Sequence, residues 1–365
     1  MRKRIIFALS VILILYISNA FLFPFPSRNL AEGFMPNYGF SYSFERAGWF
    51  GLDSKKAYVD LLESAHFKWV RLPFFWDTMV KRRGDTWVFT GEFENLKFAI
   101  EEAKRHNVSV VVVLGAKTPY YPEFHMPQEE ASKLKFGDII DDKSPIVPDL
   151  LKVDEMVVSA LSGYDNIIFW QVENEPLLAN VNNWKIDKSL VLLEMQRVRK
   201  TDPYGRPIIL NHVGPASVDR RWSKLTALLQ TDDAFGVNAY FKTQGTYLFS
   251  LDFFGRTLRA PWPRSFSWPV QSWLFISPNF YNLIHDEELG GHDLWVLEMQ
   301  AEPYIRVIAD ADREQAFKAL DIGRANRYLV DSRVRYVGLW GAEFWEYRKS
   351  KGDLRWMDSV KAIVH

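Results

Sequence analysis

Residues 108–116, Val-Ser-Val-Val-Val-Val-Leu-Gly-Ala, form an almost unbroken β-branched run that stops at a glycine. Such a run has no polar face. It reads as a strand buried on both sides, the setting of a parallel sheet covered by helices. Parallel neighbours need crossover connections, and the chain supplies them. Strand-like segments lie at 37–41, 67–75, 108–116, 166–172, 206–212, 234–240, 293–300 and 334–345. Helical patterns stand between most of them, at 53–64, 91–107, 153–161, 189–202, 223–229 and 312–331, and a short last helix covers about 353–363. Eight strands alternating with helices predict an α/β chain of (β/α)8 type, the TIM-barrel architecture, as a single domain over 37–365. A doubly wound sheet is the competing arrangement. It would want a glycine-rich phosphate loop after the first strand, and none follows residue 41.

The N-terminus has a separate character. Met1-Arg2-Lys3-Arg4 is basic, Ile5 to Tyr16 is almost wholly apolar, and the apolar character fades by Phe23. Residues 1–23 read as a signal peptide or a membrane anchor, and 24–36 as a Pro-containing linker. Small residues at Ser18-Asn19-Ala20 suit cleavage, while the length through Phe23 also suits a span. Both readings export the rest of the chain, to be secreted or membrane-anchored, because the basic end stays inside. If the segment is not cleaved, the membrane is a partner through it.

Composition removes several classes. Lys+Arg and Asp+Glu are 45 each, so no charge steers the chain toward nucleic acid. No cysteine is present, which excludes thiolate metal sites and cysteine nucleophiles. No His-Glu-x-x-His helix, aspartate cluster or Gly-x-Ser-x-Gly elbow appears, so no metal, no cofactor and no esterase chemistry is expected. Aromatic residues make up 15% of the chain, with 14 Trp. Core packing accounts for most rings of this kind, but flat rings also stack on pyranose faces. Residues 241–292, between the sixth and seventh strands, are rich in aromatics and proline, among them Phe253, Phe254, Trp262, Trp268, Trp273, Phe280 and Tyr281. Connections this long serve as lids or binding surfaces, or here as a lipid-facing surface, unless they hold an ordinary barrel helix with a long approach.

In a barrel of this kind, chemistry collects at the C-terminal ends of strands. The second strand ends near Arg71. The fourth runs "NIIFWQV" into Glu173-Asn174-Glu175-Pro176. The sixth ends at Asn238 and Tyr240, the seventh carries Glu298 with Gln300 and Glu302 beyond it, and the eighth ends at Trp340 and Glu343. Carboxylates at the ends of strands four and seven, across the mouth, suit acetal cleavage: one protonates the leaving oxygen while the other attacks or stabilises the anomeric carbon. Glu175, after a run of apolar residues, is a catalytic candidate. Glu298, directly after Trp295-Val296-Leu297, is preferred to Glu302 as its partner. If the strand continued, Glu173 would point to the opposite face, where a structural salt bridge is expected. Glu302 is read as binding substrate or holding Arg306.

These motifs resemble a known group. "WQVENEP" is similar to the Asn-Glu-Pro signature of the retaining glycoside hydrolases of clan A, a barrel superfamily that includes cellulases, mannanases and β-galactosidases. "YYPEFHMP", "LEMQAEP" and "LWGAEFW" also resemble uncharacterised bacterial cellulase-like proteins with hydrophobic N-termini. The resemblance covers about residues 37–350 and implies a carbohydrate substrate and double displacement. It implies that Glu175 is the acid/base and Glu298 the nucleophile. Asn174 would contact the sugar 2-hydroxyl. Arg71 and Tyr240 would brace the nucleophile, and Trp340 or Trp345 would floor the sugar site next to the scissile bond. His125, in an aromatic loop, could donate to a sugar hydroxyl. The sixth strand departs from the pattern of the largest clan family, with Asn238-Ala239-Tyr240 in place of His-x-Tyr. The competing functions are a cell-surface transglycosidase using the same pair, and a catalytically dead carbohydrate-binding barrel.

Overall fold

A computed structural model describes residue 10 and residues 33–213, 222–240, 247–253, 256–261, 289–303, 305, 308–312 and 317–364. Eight parallel strands close into one barrel: β1 (Asn37–Ser41), β2 (Trp69–Pro73), β3 (Ser109–Leu114), β4 (Ile167–Val172), β5 (Ile208–Val213), β6 (Ala234–Ala239), β7 (Asp293–Gln300) and β8 (Tyr336–Trp340). Each strand pairs with its sequence neighbours, and β8 returns to β1 through Asn37 opposite Tyr336. Closure leaves no edge, and the doubly wound alternative is excluded.

The outer layer is built from helices α1 (Ser54–Ser64), α2 (Phe93–Arg105), α3 (Val147–Leu161), α4 (Lys188–Thr201), α5 (Ser223–Thr226), α6 (Ala319–Asp331), α7 (Ala342–Ser350) and α8 (Arg355–Lys361). Their starts follow local chemistry. The Asp53 side chain accepts the Lys56 N–H to cap α1, and Asp187 accepts the Ser189 N–H to cap α4. In α2, Phe93, Leu96, Ile100 and Ala103 fall on one buried stripe at helical spacing.

Two expectations shift. The segment 334–345 is not one strand: β8 stops at Trp340, Gly341 takes a φ of 130°, and residue 342 begins α7. Helix α3 starts at Val147, six residues earlier than expected, with a proline in its first turn where the missing N–H is harmless. The sequence reading also missed a hairpin, Val80–Arg83 with Thr86–Phe89. Within 241–292, the backbone of Tyr247–Phe253 and Arg256–Pro261 forms an antiparallel hairpin. Phe254, Trp262, Trp268, Trp273, Phe280 and Tyr281 lie outside the described residues, as do residues 1–9 and 11–32 of the N-terminal segment. Among the described residues no helix is long and apolar enough to cross a membrane.

The barrel interior is layered by strand phase. Trp69, Val111, Phe169, Ile209, Trp295 and Leu297 pack together inside as an apolar plug. Trp69 and Trp295 meet edge to face at 5.0 Å. Three glycines make room for them. A Cβ on Gly338 would stand 2.5 Å from the Leu297 carbonyl oxygen and 2.6 Å from the Trp69 ring. One pleat further toward the C-terminal ends, the inward positions turn polar: Arg71, Gln171, Asn211 and Asn238, all buried. The plug is a floor, and the polar ring above it is where a site can be built.

Overpacking a rigid interior typically costs 1–3 kcal/mol. Gly338→Ala should therefore lower unfolding free energy by about 2 kcal/mol or more, because backbone as well as side chain blocks the new methyl. Urea denaturation of the variant beside the parent checks this, and an unchanged midpoint would contradict the layered interior.

Candidate active site

Two acidic side chains occupy the polar ring, and each gets there by a departure from regular strand geometry. In β7, Trp295 and Leu297 face the plug, so strict alternation would send Glu298 outward. A β-bulge intervenes. Val296 pairs with Val337 and Met299 with Leu339, leaving Leu297 and Glu298 together opposite Gly338. The same shift appears against β6, where Val237 pairs with Val296 but Asn238 with Glu298. The extra residue turns Glu298 inward above Leu297, while Met299 resumes packing against the outer layer.

At β4 the strand ends at Val172. Glu173 and Glu175 both take left-handed backbone angles, with φ of 59° and 47°. Non-glycine residues seldom adopt that region, and each instance costs about 1–2 kcal/mol unless the surroundings hold it. Here they do. Glu175 N–H donates to Asn211 Oδ1 at 2.9 Å, and the Lys117 ammonium donates to the Glu175 carbonyl at 2.7 Å. Asn174 N–H donates to the Lys117 carbonyl at 2.6 Å.

One cation organises the ring. Arg71 is fully buried and donates Nε to Gln171 Oε1 at 2.7 Å, Nη1 to Glu298 Oε1 at 2.6 Å, and Nη2 to Asn174 Oδ1 at 2.8 Å. The Tyr240 hydroxyl donates to the other Glu298 oxygen at 2.7 Å. Burial and the Glu298 charge push the Tyr240 phenol well above its ordinary range, so it stays a donor. Asn211 Nδ2 donates to Asn174 Oδ1 at 2.9 Å, and Asn238 Nδ2 donates to Glu175 Oε1 at 2.8 Å. Burial, with the Glu298 charge second, pushes the Glu175 carboxyl up to about 7. The buried amide side chains thus fill strand-phase positions and orient both carboxyls.

A second network flanks the first. Arg46, on the short helix Phe44–Trp49, donates to Glu302 Oε1 at 2.6 Å and to Glu343 Oε2 at 3.0 Å. The half-buried Trp340 donates its indole N–H to Glu302 Oε1 at 3.0 Å, and the Tyr120 ring lies 4.4 Å from Trp340. The Tyr120 hydroxyl donates to Glu343 at 2.9 Å. Glu302 is therefore held by Arg46; Arg306 lies outside the described residues.

The structure brings Arg71, Asn174, Glu175, Tyr240 and Glu298 into one hydrogen-bonded set, and Glu302 and Trp340 into a second set around Arg46. Two expected residues stand apart. Trp345 is completely buried in α7 with its indole N–H on the Ala301 carbonyl, so it offers no face to a sugar. His125 is 2% exposed, stacked at 4.1 Å on Phe75 with Asp77 at 3.4 Å, which makes it a support for the Tyr120 loop instead of a cleft donor. Among the described residues Glu173 forms no salt bridge with a strand-face partner. Its oxygens accept the Ala116 and Lys117 N–H groups at 2.9 and 2.6 Å. Arg46, Lys117, Gln171 and Asn211 were missed. Gln171 and Asn211 had a readable signal, since each sits two residues beyond an inward apolar residue of its strand. Arg46 had none, because only the closed barrel sets the first connection beside the seventh and eighth. Among the described residues no group of three or more His, Cys, Asp or Glu could hold a metal ion.

Comparisons with known proteins bear on this arrangement. Among solved structures, Cel5A of Thermotoga maritima in complex with cellobiose superposes with a TM-score of 0.53 at 15% identity, over 83% of this chain and 88% of that one. GH5_18 of Streptomyces cattleya in complex with GlcNAc gives 0.58 at 13% identity, over 90% and 80%. A family 5 lichenase from Caldicellulosiruptor sp. F32 gives 0.57 at 12% identity, over 93% and 96%. No curated protein matches. These likenesses establish a shared fold. The sequence itself matches the family model for cellulase (glycosyl hydrolase family 5) over residues 32–242, more than half of the chain and the stretch that holds Arg71, Asn174, Glu175 and Tyr240. The chain therefore belongs to glycosyl hydrolase family 5 and is a glycosidase of the O-glycosyl class.

Proposed function

We propose that the protein is a retaining glycoside hydrolase cleaving β-glycosidic bonds of an oligo- or polysaccharide outside the cytoplasm, with Glu298 as nucleophile and Glu175 as acid/base. The observation that carries this reading is the unequal treatment of the two carboxyls. Glu298 has a guanidinium on one oxygen and a phenol on the other. Among the described residues, the carboxyl of Glu175 takes an amide donor alone, and it sits in a buried site that favours its protonated form. Two carboxyls in environments this different take different parts, one as acid and one as nucleophile.

The steps follow. An oxygen of Glu298 attacks the anomeric carbon as the glycosidic C–O bond breaks. The Glu175 proton goes to the departing oxygen. Water then attacks the anomeric carbon of the glycosyl–Glu298 intermediate, giving a proton to Glu175, and the bond from that carbon to Glu298 breaks so that the carboxylate leaves. Arg71 and Tyr240 hold the nucleophile at one angle throughout. Asn174, fixed by Arg71 and Asn211, presents its amide beside the sugar 2-hydroxyl. Trp340, half-buried and pinned by Glu302, supplies the flat floor under the ring. Cellobiose and GlcNAc in the complexes of structural neighbours suit a β-linked hexose substrate here. Export through residues 1–23, as a cleaved signal or a retained anchor, completes the reading.

Glu298→Ala should abolish turnover of an aryl β-glycoside, and a fluorinated glycoside inactivator should label Glu298 in the parent. Full activity in the variant would end the assignment. For Glu175→Gln, substrates with poor leaving groups should slow by about 10²–10⁴-fold, the usual contribution of a general acid. The pH profile carries a sign. Glu175 must be protonated in the first step, so kcat/KM should fall as pH rises through about 7, the value set by burial and the Glu298 charge. That limb should vanish in Glu175→Gln; its persistence would place the acid elsewhere.

A further inference from the structure

The motif holds a third carboxyl that the reaction does not use. Glu173 is fully buried, on the far side of the barrel wall from Glu175. Its two oxygens take the N–H groups of Ala116 and Lys117, in the turn after β3. Gly115 makes the space: a Cβ there would stand 2.4 Å from the Glu173 carboxyl carbon, and its φ of 104° disfavours any other residue. Lys117 then reaches back across the same junction. Its ammonium donates to the carbonyls of Glu175 and Leu178 at 2.7 and 2.9 Å, and its carbonyl accepts the Asn174 N–H. The turn that aims Glu175 is thus tied to the turn after β3 from both sides.

Glu173 is itself backed by two buried carboxyls from the outer layer, Asp154 of α3 and Glu194 of α4. Burial and the neighbouring Glu173 and Asp154 charges push the Glu194 carboxyl up, so the three acids lie close together. Among the described residues no donor of good geometry reaches the four oxygens of Asp154 and Glu194. Buried carboxylates this close cannot all stay charged without donors between them, which favours protons shared among them. The remaining charged groups around the trio are few. Lys117 faces Glu173, the Gly115 N–H and Arg197 favour the charged form of Asp154, and Arg197 is spent on Glu155 at 2.6 Å. Burial dominates for all three: Glu173 is pushed up to about 7, and Asp154 and Glu194 are pushed well above the carboxylate range.

We propose that Glu173 is a positioning residue for the acid/base: it clamps the turn after β3 to the turn that carries Glu175, and Glu194, backed by Asp154, holds it there by sharing a proton with it. The inference rests on the assignment of Glu175 as acid/base. It extends the site through the barrel wall to the α3–α4 layer. It also carries a linkage. The folded chain keeps protons on the trio that an unfolded chain releases above about 4.5. Raised values in the folded state mean that stability falls as pH rises from there through about 7 for Glu173, and further for the other two.

The decisive measurement compares leaving groups. Glu173→Gln and Glu175→Gln are assayed on a dinitrophenyl β-glycoside, which leaves without a proton, and on an alkyl β-glycoside, which does not. If Glu173 acts through Glu175, its variant should lose about 10–100-fold on the alkyl substrate, the scale of a small misplacement, and far less on the dinitrophenyl one. A merely structural role would lower both equally, and equal losses overturn the proposal. If Glu175→Gln itself shows no leaving-group dependence, the acid/base assignment fails first, and the two failures stay distinct. Should Glu173→Gln not fold, Glu194→Gln supplies a second arm, since an amide donates permanently where a shared proton did. The slope of its unfolding equilibrium constant between pH 5 and 7 should shrink by about one proton, tenfold less per pH unit. An unchanged slope means that no proton is shared, and the proposal falls.

Discussion

The guanidinium of Arg71 is the interaction on which the site depends. A fully buried cation is tolerable only when its donors and its charge are answered, and two strands and a turn answer them. Gln171 comes from β4, Asn174 from the turn beyond it, and Glu298 from β7 on the far side of the barrel. No secondary structure element could supply this set alone. The closed barrel is what brings β2, β4 and β7 to a common centre, and the apolar plug of Trp69, Trp295 and Leu297 beneath keeps water from competing for the same groups. Fold and site are therefore not separable here. The plug sets the height at which the polar ring begins, and Arg71 sits one pleat above Trp69 because strand phase leaves it no other face.

Strand phase also shows how far the sequence could be read. The barrel was legible because long β-branched runs alternate with amphipathic helices, a pattern with few other closed solutions. Glu175 and Glu298 were legible as residues at strand ends. How they reach the mouth was not. Simple alternation puts Glu298 on the outside, and only the bulge opposite Gly338 turns it in. Bulges leave no reliable mark in a sequence, since they arise from the fit of one strand to its neighbour's register. Trp345 failed for a related reason. It lies in a segment with strand-like composition, but Gly341 breaks β8 and the ring passes into α7 and the core. His125 lay in the aromatic loop expected of it, but stacking on Phe75 turned it into a support.

The Arg46 network extends the same logic. Glu302 and Glu343 are buried acids that would be costly alone, and one guanidinium from the first connection answers both. Pairing them fixes Trp340 through its indole N–H, so the orientation of a half-buried ring at the end of β8 is set by an ion network that reaches the first connection. Long-range partners of this kind are invisible to local motifs. Arg46 and Glu302 are far apart in sequence and become neighbours only when β8 closes against β1.

Glu173 and Glu175 complete the argument, because they are chemically identical, two residues apart and pushed up to about the same value by the same cause, burial. Their surroundings still separate them. Glu175 meets the Glu298 charge and one amide, and it faces the mouth where a proton can leave. Glu173 meets two backbone N–H groups and the outer carboxyls, and it faces the wall where a proton can only be shared. Left-handed angles at both residues allow a strand that has ended to send consecutive acids to opposite sides with Asn174 between them. That geometry costs backbone strain at two positions, and the tie through Lys117 and the turn after β3 is what offsets it. The short motif is thus a junction between two environments, with one carboxyl turned to the barrel mouth and the other tied into the wall beside it.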